Sequence, residues 1–200
     1  DVVGFGWPSV FGGLVEMPAA ERLAGDGLIY NQFHTTALCS PTRAALLTGR
    51  NHHSVHTGII QELGTGFPGY DGVIPKSCAT IAELLSQNGY ATGWWGKNHN
   101  VPDNQTSEAG PFDNWPTNQG FDYFYGTPLH NGVTPTVTPD AFQVQIMRNN
   151  KVLVDRLDQN GMDNLTKDYT KEAIRLINKH KNEPFFLYLA YNAPHSPLQA

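Results

Sequence analysis

The chain has 200 residues, of which 13 are Lys or Arg and 18 are Asp or Glu, so its formal net charge is −5. Nucleic acids and anionic membranes are bound by clustered positive charge, and no two basic residues are adjacent in this sequence. The longest apolar run, 185–191, is far shorter than the ~20 residues that a membrane-spanning helix needs. The composition therefore predicts a globular protein with no nucleic-acid partner and no membrane partner.

The first predicted elements form two units in which a helix precedes a strand. A helix is predicted over 18–24, with a proline in its first turn and glycines after its end, and a strand over 28–33. The second helix, over 80–88, begins at Thr80 with a capping box, and a strand over 90–95 follows it.

The second half of the chain contains a third unit of the same kind. Its helix has Thr166 as N-cap and apolar residues at helical spacing, and its strand covers 185–191. Before this unit, 100–138 is rich in Pro, Gly, Asn and aromatic residues without periodicity, which predicts an irregular excursion and not a second domain. A hairpin is predicted over 143–155, with its turn at 149–150.

These elements predict an α/β fold, with a mainly parallel sheet sandwiched by helices, in a single domain over 1–200. Ligands of such sheets bind outside the carboxyl ends of the strands. The loops that follow the three predicted strands begin at Thr35, Gly96 and Asn192, and all three contain reactive side chains. We therefore expect the functional site to lie where these loops meet.

The first of these loops leads into a short helix that is suited to binding an anion. Ser40 is the predicted N-cap, Pro41 the first helical residue and Gly49 the end of the helix. Cys39 then lies at the helix N-terminus, where unpaired backbone donors and the helix dipole favour negative charge. Arg43, about one turn further on, adds a permanent positive charge. Each residue alone is more simply explained as a buried cysteine or a solvated arginine, but the pattern around them is specific.

The stretch 39–50 contains Cys-x-Pro-x-Arg followed by Thr-Gly-Arg, which resembles the sulfatase signature, including the core that a formylglycine-generating enzyme recognises. The stretches 89–99 and 193–197 are similar to two later segments of that family, and the resemblance covers essentially the whole chain. It implies a fold similar to the alkaline phosphatase superfamily, and a sulfuric ester hydrolase of the arylsulfatase type that acts on a small-molecule sulfate ester.

The resemblance also implies a role for each matching residue. Cys39 would be oxidised to formylglycine by the formylglycine-generating enzyme, and the hydrate would supply the nucleophilic oxygen. Arg43 and Lys97 would hold the diol and the sulfate oxygens, and His99 would assist deprotonation or breakdown of the diol. His195 would favour departure of the leaving oxygen.

A divalent cation, Ca²⁺ in this family, is implied as well, with Asp1 and the modified Cys39 among its ligands. Sulfatases typically carry two adjacent aspartates where this chain has Asp1 and Val2, and valine offers no side-chain oxygen, so weakened metal binding is expected. The family's remaining cation ligands and its second active-site lysine lie beyond the segment around His195. The resemblance therefore implies the amino-terminal part of a catalytic domain, with a sheet incomplete at both ends.

Two other functions remain open at this point. A phosphoester or phosphonate hydrolase could use the same scaffold, because sulfate and phosphate share tetrahedral geometry. A truncated or degenerate protein could keep the anion-binding loop without turnover. A weaker candidate for a transition-metal site is formed by His52, His53 and His56. The second cysteine, Cys78, is expected to be buried and inert. No segment of the sequence indicates a cellular compartment.

Overall fold

The computed structural model describes residues 3–128 and 144–195, which form one five-stranded sheet with helices on both faces. The strands are β1 (Ala91–Lys97), β2 (Tyr123–Thr127), β3 (Ile146–Arg148), β4 (Lys151–Val154) and β5 (Phe185–Ala190). The α-helices are α1 (Pro18–Asp26), α2 (Cys39–Thr48), α3 (Ile81–Ser86) and α4 (Gln159–His180). Short 3-10 helices cover Ser9–Phe11, His52–Val55, Gln61–Leu63, Asp103–Gln105 and Pro116–Asn118. No helix among these residues is long and apolar enough to cross a membrane.

The sheet is mixed, with the order β4-β3-β2-β1-β5. The central strand β1 is parallel to both of its neighbours, β2 and β5, as the α/β prediction requires. The strands β3 and β4 add an antiparallel hairpin to one edge, with its turn at 149–150 as expected. The first residue of the predicted hairpin, Gln143, lies outside the described residues.

The central strand contacts helices on both of its faces because successive side chains of a strand point to opposite sides. Trp94 packs in a cluster with Leu47 of α2 and Ala82 of α3. Trp95 packs in a second cluster, which includes Met162, Leu165, Tyr169 and Ala173 of α4. The prediction of a sheet between two helical layers is confirmed.

Two strand predictions differ from the structure. The segment 28–33 has no regular secondary structure, and Leu28 is 83% exposed. It is apolar enough for a strand, but among the described residues no strand lies beside it to accept its backbone hydrogen bonds. Conversely, the stretch 100–138, which was predicted to be irregular because it lacks periodicity, contains β2. Positions 129–138 of that stretch lie outside the described residues.

Two helices begin earlier than the capping residues predicted. The helix α2 starts at Cys39 with Leu38 as N-cap, and the Ser40 hydroxyl instead accepts a hydrogen bond from Gln61 N at 3.3 Å. The helix α4 starts before Thr166, because Asp158 accepts a hydrogen bond from the backbone of the first turn and caps the helix.

The capping box of α3 is confirmed. The Thr80 hydroxyl accepts a hydrogen bond from Glu83 N at 3.2 Å, and the Glu83 carboxylate accepts one from Thr80 N at 2.7 Å. Both contacts satisfy backbone donors that a helix start leaves unpaired. This fixes the helix that supports one face of β1.

Candidate active site

The carboxyl end of β1 meets the N-terminus of α2, and this junction brings together four of the predicted site residues. Cys39 is the first residue of α2, Lys97 is the last of β1, and His99 follows two positions later. Cys39 Sγ lies 3.0 Å from His99 Nδ1. The Arg43 guanidinium donates from Nη1 to the Lys97 carbonyl at 2.7 Å. The structure thus assembles residues that are about 60 positions apart in the sequence.

Backbone contacts hold this junction in place. Gly96 approaches β5 so closely that a Cβ would lie 1.9 Å from the Ala190 carbonyl oxygen, and its φ of +104° also requires glycine. Beyond the end of β1, Asn98 N and His99 N continue the pairing by donating to the carbonyls of residues 127 and 128 at 2.9 and 3.2 Å. Asn100 Nδ2 donates to the Ser40 carbonyl at 3.1 Å, which links this loop to α2.

Two positive side chains are buried at the site. Lys97 is 1% exposed and Arg43 is 6% exposed. Burial lowers the pKa of both groups, since a low-dielectric environment disfavours the charged form. Lys97 Nζ makes no hydrogen bond to an oxygen atom of the described residues, and the negative groups that act on it are Cys39 and Glu62. A buried ammonium without an oxygen acceptor is costly, and the oxygens of an anion would supply the missing acceptors.

Cys39 and His99 form a strongly polarised pair. Burial by itself would raise the pKa of the Cys39 thiol, but the hydrogen bond to His99 and the positive charges of His99 and Lys97 lower that pKa to about 6. Burial by itself would lower the pKa of His99, but its hydrogen bonds to Cys39 and Glu62 raise it above the usual value. The site therefore favours negative charge on the reactive atom of residue 39. That atom is the sulfur of Cys39.

Glu62 is a site residue that the sequence did not reveal. Its carboxylate oxygens lie 2.8 and 2.9 Å from His99 Nε2, on the side of the ring opposite Cys39. It belongs to a single turn of 3-10 helix, 37 positions from His99, and no motif marks it. Only the three-dimensional structure brings this carboxylate to the site.

The structure places His195 in the turn that follows β5, where its backbone N donates to the Asn192 carbonyl at 3.0 Å. The register between β1 and β5 pairs Gly96 with Ala190, so both strands end at the same edge of the sheet. His195 therefore lies at the same edge of the sheet as Lys97. Its predicted role in catalysis stays a prediction.

The calcium ligands that the family resemblance implies lie only partly among the described residues. Within 3–128 and 144–195, no group of three or more His, Cys, Asp or Glu side chains is placed to hold a metal ion. The predicted ligand Asp1 and its neighbour Val2 lie outside the described residues. Of the two predicted ligands, Asp1 and Cys39, the structure therefore describes only Cys39.

The candidate transition-metal histidines have other partners. His53 Nε2 lies 3.1 Å from the Tyr70 hydroxyl, and His56 Nδ1 lies 2.9 Å from a carboxylate oxygen of Asp71. His52 stacks on His53 with ring centroids 4.2 Å apart. These contacts explain the histidines as structural groups. Cys78, the second cysteine, is half-buried against an apolar cluster around Ala44, Val55 and Ile74.

A buried lysine at the end of a parallel strand, beside an ionisable thiol at a helix N-terminus, is suited to binding a tetrahedral oxyanion. Comparison with known proteins defines the class. Residues 3–200 match the family model described as Sulfatase. The chain belongs to the sulfatase family.

Individual relatives agree with this assignment. The chain is 33% identical to an uncharacterized sulfatase of Schizosaccharomyces pombe, over 98% of this chain and 37% of that protein. It is 31% identical to the human N-acetylgalactosamine-6-sulfatase, over 100% of this chain and 39% of that protein. The chain thus spans less than two fifths of the length of these relatives.

Solved structures support the fold. A sulfatase structure from Bacteroides thetaiotaomicron, described in connection with the metabolism of multiple glycosaminoglycans, superposes with a TM-score of 0.73 at 24% identity. The match covers 97% of this chain and 49% of that one. The fold is therefore part of the alkaline phosphatase-like α/β fold of sulfatases, and the family resemblance seen in the sequence is confirmed.

Proposed function

We propose that the protein is an arylsulfatase-type hydrolase that cleaves a small-molecule sulfate ester at the junction of β1 and α2. The observation that carries the proposal is the buried Lys97 ammonium, which lies beside Cys39 and makes no hydrogen bond to an oxygen atom of the described residues. Family membership supports sulfate ester hydrolysis in general. The buried cation supports binding of the ester's oxygens at this particular place.

The nucleophile in this proposal is residue 39 after a formylglycine-generating enzyme has oxidised it. Formylglycine would supply, as its hydrate, one hydroxyl oxygen to attack sulfur while the ester S–O bond breaks. The second hydroxyl would then lose its proton and collapse to the aldehyde, which releases sulfate. The position fits such a group, since Cys39 is half-buried at a helix N-terminus and contacts His99. The positive groups around residue 39 would stabilise the oxyanion of a hydrated formylglycine as they stabilise the Cys39 thiolate.

The other side chains have separate tasks. His99 Nδ1, at 3.0 Å from the reactive atom of residue 39, accepts or returns a proton there. Lys97 donates to the sulfate oxygens, and Arg43 adds positive charge while it holds the Lys97 carbonyl. His195 protonates the leaving oxygen from the end of β5.

A Ca²⁺ ion is retained in the proposal, with Asp1 and residue 39 among its ligands. Valine at position 2 contributes no oxygen, so we expect weaker binding than a second aspartate would give. Calorimetry of the full-length protein and its Val2→Asp variant tests this, and equal calcium affinities would contradict the argument.

The function is tested by expressing the full-length protein with a formylglycine-generating enzyme and measuring hydrolysis of an aryl sulfate and the matching aryl phosphate. We expect sulfate cleavage that is lost in Cys39→Ala, and a mass for the peptide with residue 39 that corresponds to the aldehyde. Faster cleavage of the phosphate would identify a phosphoester hydrolase instead. An unmodified cysteine together with no turnover would identify an inactive relative.

A further inference from the structure

The His99 imidazole is held from both sides. Its Nδ1 lies 3.0 Å from Cys39 Sγ, and its Nε2 lies 2.8 and 2.9 Å from the two carboxylate oxygens of Glu62. His99 is 4% exposed, so water has little access to the ring. The three side chains form a continuous line from the Glu62 carboxylate to the reactive atom of residue 39.

Whenever the His99 ring is neutral, this line fixes it in one of its two tautomers. An ionised carboxylate can only accept hydrogen bonds, so the nitrogen that faces Glu62 must carry a proton. The proton on Nε2 leaves Nδ1 facing residue 39 as the atom that exchanges a proton there. Without the carboxylate, the ring could rotate or place its proton on the other nitrogen.

The 3-10 turn that contains Glu62 is hydrogen-bonded to α2, the helix on which residue 39 lies. The neighbouring backbone N of Gln61 donates to the Ser40 hydroxyl at 3.3 Å, and Ser40 directly follows residue 39. Gln61 is itself buried, and the turn is closed by a hydrogen bond from Gly64 N to the Gln61 carbonyl at 3.1 Å. The carboxylate is thus held in a fixed position relative to the N-terminus of α2.

We infer that Glu62 is a positioning residue, which orients the His99 imidazole and keeps its proton on Nε2 so that Nδ1 stays aimed at residue 39. The chemical use of this arrangement rests on the proposed function. The positioning itself is a property of the three side chains and can be measured without turnover.

The first test is nuclear magnetic resonance of the full-length protein with ¹⁵N-labelled histidine, with the His99 signals assigned from the His99→Asn variant. We expect a slowly exchanging proton on Nε2 in the wild type. In Glu62→Ala that proton should exchange quickly with water, or the two ring nitrogens should average between tautomers. An unchanged His99 signal in Glu62→Ala overturns the inference.

Two further variants separate the positioning effect from misfolding and from the general loss of a negative charge. Glu62→Gln keeps the shape of the side chain, but its amide can present oxygen or nitrogen to Nε2, so a less defined tautomer is also expected there. Asp113→Asn is the matched control, because it removes a carboxylate from an exposed ion pair with Lys76, whose atoms are 2.7 Å apart. His99 should be unaffected in this control.

The second test is a double-mutant cycle on aryl sulfate hydrolysis. Loss of a group that orients a functional histidine reduces activity by roughly 10- to 100-fold, and we expect this reduction in kcat with little change in KM for Glu62→Ala. In a His99→Ala background the same substitution should have almost no effect. Independent effects of the two substitutions overturn the inference. A wild type that does not hydrolyse the ester counts against the proposed function alone, and the histidine signals then decide the positioning role.

Discussion

The junction of β1 and α2 buries charged side chains, whereas the amino-terminal segment 3–38 exposes apolar ones. At the junction, charged groups such as Lys97 are almost fully buried. In the amino-terminal segment, large apolar side chains such as Phe33, which is 74% exposed, lie at the surface of the described structure. Burial in this molecule therefore follows from which elements pack together, and polarity alone does not predict it. The charges that are buried despite their cost mark the functional site.

The largest expected effect contrasts two phenylalanines from these regions. Phe124 on β2 is fully buried in the cluster around Trp94, so Phe124→Ala should reduce the free energy of unfolding by about 3–5 kcal/mol. Phe33→Ala is the matched control and should change it by no more than about 0.5 kcal/mol. Denaturant unfolding of the full-length protein measures both. Equal losses of unfolding free energy in the two variants would contradict this contrast, because they would show that Phe33 is buried in the full-length protein.

A smaller effect of opposite sign is expected at Lys97. Replacing this buried ammonium by the apolar side chain in Lys97→Met should raise the free energy of unfolding by about 1–3 kcal/mol while abolishing hydrolysis. The control Lys76→Met removes an exposed lysine and should have little effect on either quantity. Added sulfate should raise the Tm of the wild type but not of Lys97→Met. A destabilised Lys97→Met protein would contradict the anion-site interpretation.

A third expected effect is a pH dependence of stability and reactivity at Cys39 in the unmodified protein. Since its pKa falls from 9.0 to about 6 on folding, the thiolate stabilises the folded state fully above pH 9, and this contribution is lost as the pH falls through about 6. The stability difference between wild type and Cys39→Ser should therefore grow from pH 6 to pH 9. Iodoacetamide labelling should reach half its maximal rate near pH 6, with Cys78 as the reference thiol. Half-maximal labelling near pH 9 would show that the positive groups do not act on residue 39.

The strand and helix that form the site were predicted correctly from the sequence, whereas the strand predicted over 28–33 was not found. A strand that ends at Lys97 and a helix that starts near Cys39 are local features, and the rule that ligands bind at the carboxyl ends of parallel strands brings them together. The strand predicted over 28–33 was wrong because a strand also needs a neighbour, which local composition does not report. Glu62 was missed because its contact with His99 joins two loops that share no pattern.

The stretch that a formylglycine-generating enzyme would have to read is hidden inside the folded protein. Ser40, Pro41 and Arg43 are all buried, and the Arg43 guanidinium is engaged by the end of β1. A second enzyme could bind this stretch only after α2 had separated from the sheet. Under the proposed function, oxidation of Cys39 would therefore have to precede the docking of α2 on the sheet, and a molecule that had already folded would keep its thiol.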